Sequence, residues 1–296
     1  MKKIAIVTDG SCDIPKKLIE EYSIHVIPFQ VIFGEEVYKT YGDWGTITKE
    51  EFYVKLQTSE EPPTSAIPPN IDFIKTFQKA LAESDTVICI VLSKNFSGLY
   101  QNALRISSTF KGDDITIVDS RVATSTLGVL VIEAAKMAIN GATKEEILKR
   151  LDELIPQARL VVVLDSVDAV YRSGRVGWAK KFLVSSLRIK PIVYFNNGSI
   201  VSGGTLKGRK EVVKRLKFIA PIILEKAITD IIFIWHVRNP GTAQELLELM
   251  ETHNTQNKRI IVQEAGSVVG THVGEKAIGF MYIGEYNKKW LLKMKV

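Results

Sequence analysis

Hydroxyl and backbone amide groups are concentrated in four short turns of this sequence. The turns are rich in Ser, Thr and Gly, and they follow or join apolar runs at residues 8–13, 64–65, 93–98 and 270–274. A turn that opens a helix presents unsatisfied N–H groups and the positive end of the helix dipole, which together suit an oxyanion. The same turns hold few groups suited to bond breaking. The residues therefore favour a binding site over an active site.

Two of these turns carry the candidate ligand-binding hydroxyls. Thr64 and Ser65 lie between two proline pairs, whose fixed φ angles lower the entropy lost when the hydroxyls hold a ligand. Ser97 and Gly98 lie where a strand turns into a helix, so Ser97 can donate to an oxyanion and Gly98 lets a ligand approach the backbone. A plain helix cap at Ser97 is an equal alternative.

The first turn follows the first strand, at the strand end where open α/β sheets bind ligands. Asp9 is expected to anchor this turn by accepting backbone N–H bonds, and Asp13 is expected to cap the first helix. Both roles are architectural, and an architectural role for the whole turn stays as open as a ligand contact.

Arg209 and His272 are the candidate basic groups. Arg209 begins a helix, where its charge opposes the helix dipole, so its side chain is expected to reach toward an anion elsewhere. His272 lies in a run of glycines that lets the backbone bend, and a structural histidine is as good an interpretation as a ligand contact. Residues 165–177 carry two Arg among acids, which indicates internal salt links.

The histidines and cysteines indicate neither metal chemistry nor cofactor binding. The 4 His are scattered without paired ligand spacing, and the 2 Cys lie far from any zinc pattern or disulfide framework. No catalytic residue, metal or cofactor is predicted from them.

Composition and charge predict a cytoplasmic, globular protein of two domains. With 296 residues the chain is long for one domain, and Pro156 ends a predicted helix, which gives domains at 1–156 and 157–296. The net charge of +6 is spread among acids, which favours a solvated surface and at most transient membrane-surface contact over nucleic acid binding. No apolar run reaches membrane-spanning length, and the strand at residues 4–7 begins where a leader would stand.

The two halves have different patterns of elements. Short β-branched runs alternate with helical periodicity in the first half, which predicts a mostly parallel sheet flanked by helices. Asn-Asn-Gly at residues 196–198 predicts a hairpin, so the second half is expected to hold a mixed α/β sheet with helices. Residues 34–47 read as a small hairpin excursion, either a flap over a site or a packed surface loop.

Seven segments in the same order resemble the DegV family. They are residues 7–15, Thr64-Ser65, Ser97-Gly98-Leu99-Tyr100-Gln101, Val118-Asp119-Ser120, residues 165–177, Ile189-Lys190-Pro191-Ile192 and Gly270-Thr271-His272-Val273-Gly274. Each segment alone is unspecific, and the order of all seven carries the resemblance along the whole chain. Members of this family include the fatty-acid-binding subunits of the bacterial fatty-acid kinase. The resemblance implies two α/β domains with a long-chain fatty acid between them.

The resemblance also implies a set of site residues, and this chain departs from the family pattern in one loop beside them. Thr64 and Ser97, with Ser65 and Gly98 beside them, would bind the carboxylate, and Arg209 and His272 would support that network. Residues 275–276 are Glu-Lys where the family has Pro-Gly, so the resemblance does not extend to that loop.

The function expected from this resemblance is a carrier rather than an enzyme. It would present the carboxylate of its fatty acid to a separate fatty-acid kinase subunit, in the service of phospholipid synthesis. The alternative is a serine acyl hydrolase or transferase, with Ser97 as nucleophile and His272 as base, although Ser97 lacks the glycines of a nucleophile elbow.

Overall fold

Strands and helices alternate through the first half of the chain in the computed structural model, which describes residues 3–40, 45–177, 179 and 188–292. The elements of this half are β1 (Ile4–Asp9), α1 (Lys16–Glu21), β2 (His25–Ile27), β3 (Phe29–Phe33), β4 (Glu36–Thr40), α2 (Lys49–Thr58), β5 (Thr64–Ala66), α3 (Asn70–Glu83), β6 (Thr86–Val91), α4 (Leu99–Ser107), β7 (Asp114–Asp119), α5 (Thr124–Ile139) and α6 (Lys144–Leu154).

Four of these strands form a wholly parallel sheet in the order β2-β1-β6-β7. The central strand β6 is buried along its whole length, as a strand covered on both faces must be. The carboxyl ends of β1 and β6 lead into the predicted turns at residues 8–13 and 93–98, and both lie at one edge of the sheet because the strands are parallel. The predicted parallel sheet is confirmed.

The apolar run at residues 26–33 belongs to two strands rather than to one continuous strand. Pro28 divides it, since proline has no N–H for a continuous ladder, and β3 joins a separate antiparallel sheet in the order β4-β3-β5. The β3–β4 pair is the hairpin expected within residues 34–47, with Gly34 in its turn at a φ of 57°. Residues 41–44 of that excursion lie outside the described ranges, and its role as a flap stays a prediction.

Local capping follows the sequence at two helices. Thr48 accepts from the N–H of Glu51 at the start of α2, and Thr143 accepts from that of Glu146 at the start of α6. In both cases the glutamate bonds back to the cap residue, which completes a capping box at each helix start.

The second half also alternates strands and helices, but its sheet is mixed. Its elements are β8 (Ala158–Val163), α7 (Asp168–Arg172), β9 (Ile189–Asn196), β10 (Ser199–Lys207), α8 (Gly208–Lys226), β11 (Ile231–His236), α9 (Pro240–Thr252), β12 (Arg259–Glu264), α10 (Ser267–Val273), β13 (Ile278–Ile283) and α11 (Lys289–Leu292). The strand order is β10-β9-β8-β13-β11-β12, with only β11 and β12 parallel. Asn197 and Gly198 both have positive φ in the predicted hairpin between β9 and β10.

The core of this half lies between the mixed sheet and helices α8, α9 and α11. Leu216, Ile234 and Phe280 are completely buried in it. Gly279 must be glycine, since a Cβ there would lie 2.0 Å from the carbonyl oxygen of Val161 on the neighbouring strand. The close approach of β13 to β8 thus explains a glycine inside an apolar strand.

The chain divides into two units. The first is Met1–Pro156 with Gly266–Thr271, and the second is Gln157–Ala265 with His272–Val296. Residues 266–271 thus belong with the first half, although the sequence offers only one division near residue 156. In the described part of the chain, no helix is both long and apolar enough to cross a membrane.

Candidate functional site

Asp9 holds the turn after β1 in place. One carboxylate oxygen accepts from the N–H and the hydroxyl of Ser11, at 2.9 and 2.5 Å, and the other accepts from the N–H of Leu92 at 2.8 Å. Asp9 is fully buried, and that burial raises its pKa against the opposing effect of these bonds. The predicted anchoring role is confirmed, and the carboxylate ties the end of β1 to the end of β6.

Asp13 does not cap the first helix, which corrects the sequence prediction. Pro15 occupies the cap position of α1, and no side chain bonds there. The Asp13 carboxylate instead accepts from the Thr124 hydroxyl at 2.6 Å and from the N–H of Gly266 at 3.0 Å. Asp13 is buried and has a φ of 45°, and its carboxylate joins distant segments of the first unit.

Thr64 and Ser65 lie in strand β5 rather than in the loop that their prolines suggest. They pair with Ile32 and Val31 of β3, which fixes the backbone of both residues. Thr64 is exposed, and its hydroxyl has no hydrogen-bond partner among the residues that the structure describes. A hydroxyl on a rigid strand with free hydrogen-bonding capacity is suited to hold a polar ligand atom.

Ser97 and Gly98 lie just before helix α4, which begins at Leu99 and not at Ser97 as predicted. Gly98 takes the cap position, and the Ser97 hydroxyl accepts from the N–H of Leu99 at 3.2 Å. That bond uses an acceptor lone pair, so the hydroxyl proton can still be donated to an oxyanion. A side chain at Gly98 would meet nothing within 4 Å, so the backbone there lies beside open space.

Helices α3 and α4 connect the segments that carry these hydroxyls. The side-chain oxygen of Asn70, six residues after Thr64, accepts from Arg105 at 2.8 Å and from Asn102 at 3.3 Å. Asn102 lies in the helix that Ser97 precedes. The sequence gives no sign of these contacts, because they join residues 32 and 35 positions apart.

Arg209 of the second unit reaches away from its helix start to two neutral oxygens, and the anion contact that the sequence predicts stays a prediction. Its guanidinium donates to the carbonyl oxygen of Lys276 at 2.9 Å and to the Thr242 hydroxyl at 3.4 Å. Burial lowers its pKa while the negative charge of Asp165 opposes that effect, and the group stays protonated. Its other N–H donors have no partner among the described residues, which leaves them available to an anion.

His272 lies near the end of helix α10, where the sequence predicts a sharp bend. The bend comes later, at Gly274, whose φ of 83° ends the helix. Burial lowers the pKa of His272 to about 4, with a further contribution from the positive charge of Arg175. The ring is therefore neutral at pH 7 and is a weak base, which counts against its role as general base in the hydrolase alternative.

The second unit thus gathers groups from three chain segments. The charge of Asp165 affects the pKa of Arg209, and the charge of Arg175 affects that of His272. A Cβ placed on Gly274 would lie 3.3 Å from the Cβ of Ala169 in α7. Lys190, for which the sequence predicts no role in this loop, binds the Asp165 carboxylate at 3.0 Å. The predicted salt link of this loop therefore exists, but its cation is Lys190 rather than Arg172 or Arg175.

Neither a metal cluster nor an activated thiol is found among the described residues. Within the described ranges, no group of three or more His, Cys, Asp or Glu side chains is placed to hold a metal ion. Both cysteines are buried, and burial raises the pKa of the Cys89 thiol, which disfavours its thiolate. Hydroxyl, amide and guanidinium groups can bind an anion as hydrogen-bond donors, without a metal ion or a nucleophile.

Comparison with known proteins decides the family. The family model described as "Uncharacterised protein, DegV family" matches residues 3–285. This chain belongs to the DegV family. A DegV domain-containing protein of Caldanaerobacter subterraneus subsp. tengcongensis is 34% identical over 283 residues, or 95% of this chain and 99% of that protein.

Solved structures of DegV proteins share the fold. DegV from Bacillus subtilis, described as a fatty acid binding protein, has a TM-score of 0.84 at 29% identity and covers 96% of this chain and 100% of its own. A DegV lipid binding protein from Thermotoga maritima has a TM-score of 0.81 at 25% identity, with coverage of 95% and 98%. The predicted fold class and family are thus confirmed.

Proposed function

We propose that this chain binds a long-chain fatty acid and presents its carboxylate to a separate fatty-acid kinase, which forms the acyl phosphate. The observation that carries the first half of this proposal is the likeness to the fatty-acid-binding DegV of Bacillus subtilis over nearly the whole length of both chains. The second half rests on the sequence resemblance described above.

The carboxylate is assigned to the hydroxyls of the first unit. Thr64 and Ser97, supported by Ser65 and the open backbone at Gly98, are the proposed donors. An ionised head group loses its hydration on binding and needs donors to offset that cost. The unpartnered hydroxyl of Thr64 and the remaining proton of Ser97 supply two such donors.

Arg209 and His272 are proposed to support the carboxylate. Of the two, only Arg209 contributes a positive charge near neutral pH, since the pKa of His272 is about 4. His272 can then act only as a neutral hydrogen-bonding group. The action of these residues on the same ligand as Thr64 and Ser97 stays a prediction of the sequence resemblance.

The tail supplies most of the binding free energy. Burial of one methylene contributes about 0.8 kcal/mol, so a long chain has ample drive to leave water. The head group then determines orientation more than affinity. That division suits a carrier, which must hold the lipid while the carboxylate remains accessible to a second protein.

The proposed kinase must be a separate chain. The sequence holds neither a Walker loop nor a kinase signature, so the phosphoryl donor has to bind elsewhere. The Glu275-Lys276 pair, which replaces the family's Pro-Gly, is the place where docking to that partner is expected to differ from the family pattern.

The proposal is tested by extraction and retention. Mass spectrometry of a solvent extract of the purified protein should detect a co-purified acyl acid. The double variant Thr64→Ala with Ser97→Ala should lose at least tenfold in fatty-acid retention, because two donors to the carboxylate are gone. Ser108→Ala is the matched control, since its hydroxyl bonds only the Arg105 carbonyl on the surface of α4.

Two results would count against this assignment. Retention that is unchanged in the double variant removes the proposed head-group site. Ester turnover by the wild-type protein that disappears in Ser97→Ala supports the hydrolase alternative instead.

A further inference from the structure

A cavity of about 330 Å³ lies in the first unit and is lined by none of the residues assigned to the fatty acid. One wall is a single face of helix α3, which carries Asp72, Lys75, Thr76 and Lys79. The opposite wall includes His25 of the edge strand β2 and Lys39 of β4. The volume is at the lower end of the range of small-molecule sites.

Asp72 is the unusual group of this cavity. Its side chain is only 6% exposed, and one oxygen accepts from the ammonium of Lys39 at 2.6 Å. The other oxygen is buried and has no hydrogen-bond partner among the described residues. A buried carboxylate oxygen without a donor is costly, which indicates that a donor is supplied from outside the chain. Asp72 lines the cavity, and the torsion about the Cβ–Cγ bond of aspartate is broad, so its carboxylate can adjust to a donor placed there.

The lysines lie on the same side of the helix as this carboxylate. Lys75 and Lys79 follow Asp72 by three and seven residues, which is about 4.5 and 10 Å along the axis. Both side chains are long and exposed, so their ammonium groups can reach an anion in the cavity, whereas the ammonium of Lys39 is bound to Asp72. Three lysines around one buried carboxylate give the cavity a positive balance.

Two further titratable groups, Glu83 and His25, lie near this part of the cavity. Glu83 lies 3.4 Å from the His25 ring and is itself half exposed, toward the far end of α3 from Asp72. Burial lowers the pKa of His25, with a further contribution from Lys79 and an opposing one from Glu83, so the ring is neutral at pH 7. His25 therefore adds a neutral hydrogen-bonding group to the wall.

We propose that this cavity binds a small phosphorylated alcohol, with a hydroxyl donated to Asp72 and the phosphate held by Lys75 and Lys79. The hydroxyl supplies the donor that the buried oxygen lacks. Lysines are good point-charge partners for phosphate, and their spacing from Asp72 along α3 matches a ligand with its two polar ends several ångströms apart. Neither inorganic phosphate nor an uncharged sugar satisfies both ends.

Calorimetric titration of the full chain with three probes tests the proposal. Ribose 5-phosphate carries both groups, inorganic phosphate lacks the hydroxyls, and ribose lacks the phosphate. Ribose 5-phosphate should bind at least tenfold more tightly than either of the others. The double variant Lys75→Gln with Lys79→Gln should lose at least tenfold in this affinity, and Asp72→Asn should lower it without abolishing phosphate binding.

Lys149→Gln is the matched control, since Lys149 is an exposed lysine on α6 of the same unit and does not line the cavity. The double lysine variant changes only exposed side chains, and a thermal melt verifies that it folds. The absence of ribose 5-phosphate binding at millimolar concentration in the wild-type protein would overturn the proposal. Equal binding by the double variant would do so as well, whatever the behaviour of Asp72→Asn.

Discussion

Among the described residues, His272 has the most strongly shifted histidine pKa, at about 4. This value can be measured on the single residue. Nuclear magnetic resonance of the ring should show a neutral imidazole down to about pH 5 and protonation near pH 4. Burial is the main cause, so Arg175→Gln should raise the pKa only part of the way toward 6.5.

The same shift determines how stability depends on pH. Because the folded pKa lies below the unfolded value, the unfolded chain takes up a proton first as the pH falls. This group's contribution is complete above about pH 6.5 and is lost as the pH drops toward 4. His272→Gln should flatten that part of the urea unfolding profile. A ring that titrates near 6.5 in the wild-type protein would contradict this account of its environment.

Single carboxylates mark the limit of prediction at this scale. The role of Asp9 could be predicted because its main partner, Ser11, is two residues away in the same turn. The role of Asp13 could not, since its partners are 111 and 253 residues distant. A polar residue before a helix looks like a cap in the sequence, and only the folded chain shows that other donors compete for it.

Helix α5 offers a test at the scale of one element. A Cβ at Gly128 would lie 2.8 Å from the carbonyl oxygen of Cys12 and from Cγ1 of Ile14, so the helix and the turn after β1 would have to separate. Gly128→Ala should lower the free energy of unfolding by about 1–3 kcal/mol, because the lost packing exceeds the gain in helix propensity. Urea unfolding of the full chain measures this effect.

Gly241→Ala is the matched substitution in helix α9. Nothing lies within 4 Å of a Cβ at that position, which is exposed in the first turn of the helix. This variant should gain up to about 1 kcal/mol from helix propensity alone. A loss of stability of similar size in both variants would show that packing against the first turn is not the cause at Gly128.

Elements with long periodic patterns could be predicted, and short ones could not. Helices α2 and α6 carry their own start signals, so their first residues match the capping boxes. Strand β5 has three residues between proline pairs and exists only because β3 pairs with it. Helix α10 contains Gly270, where a side chain would lie 3.0 Å from Phe52 and Tyr53, so packing rather than flexibility explains that glycine.

At the scale of the whole molecule, composition and residue pattern predict the parallel and the mixed sheet. The proposed ligand, by contrast, is predicted only by the resemblance of seven ordered segments to a family. The residues alone left Ser97 open between a helix cap and a ligand contact; in the structure Gly98 takes the cap position, and the ligand contact stays a prediction. The contacts of Arg209 could not be foreseen, because Asp165, Thr242 and Lys276 come from separate segments of the second unit.

The proposed division of labour between head and tail predicts how affinity depends on the ligand. For saturated fatty acids from decanoate to stearate, each added methylene that is buried should tighten binding about fourfold, since each contributes about 0.8 kcal/mol. The double variant Thr64→Ala with Ser97→Ala should shift the whole series to weaker binding with the slope unchanged, because it removes head-group donors only. A fluorescent fatty acid displaced by each member of the series provides the measurement. An affinity independent of chain length would mean that the tail stays in water, and the carrier proposal would then fail even if the head group binds.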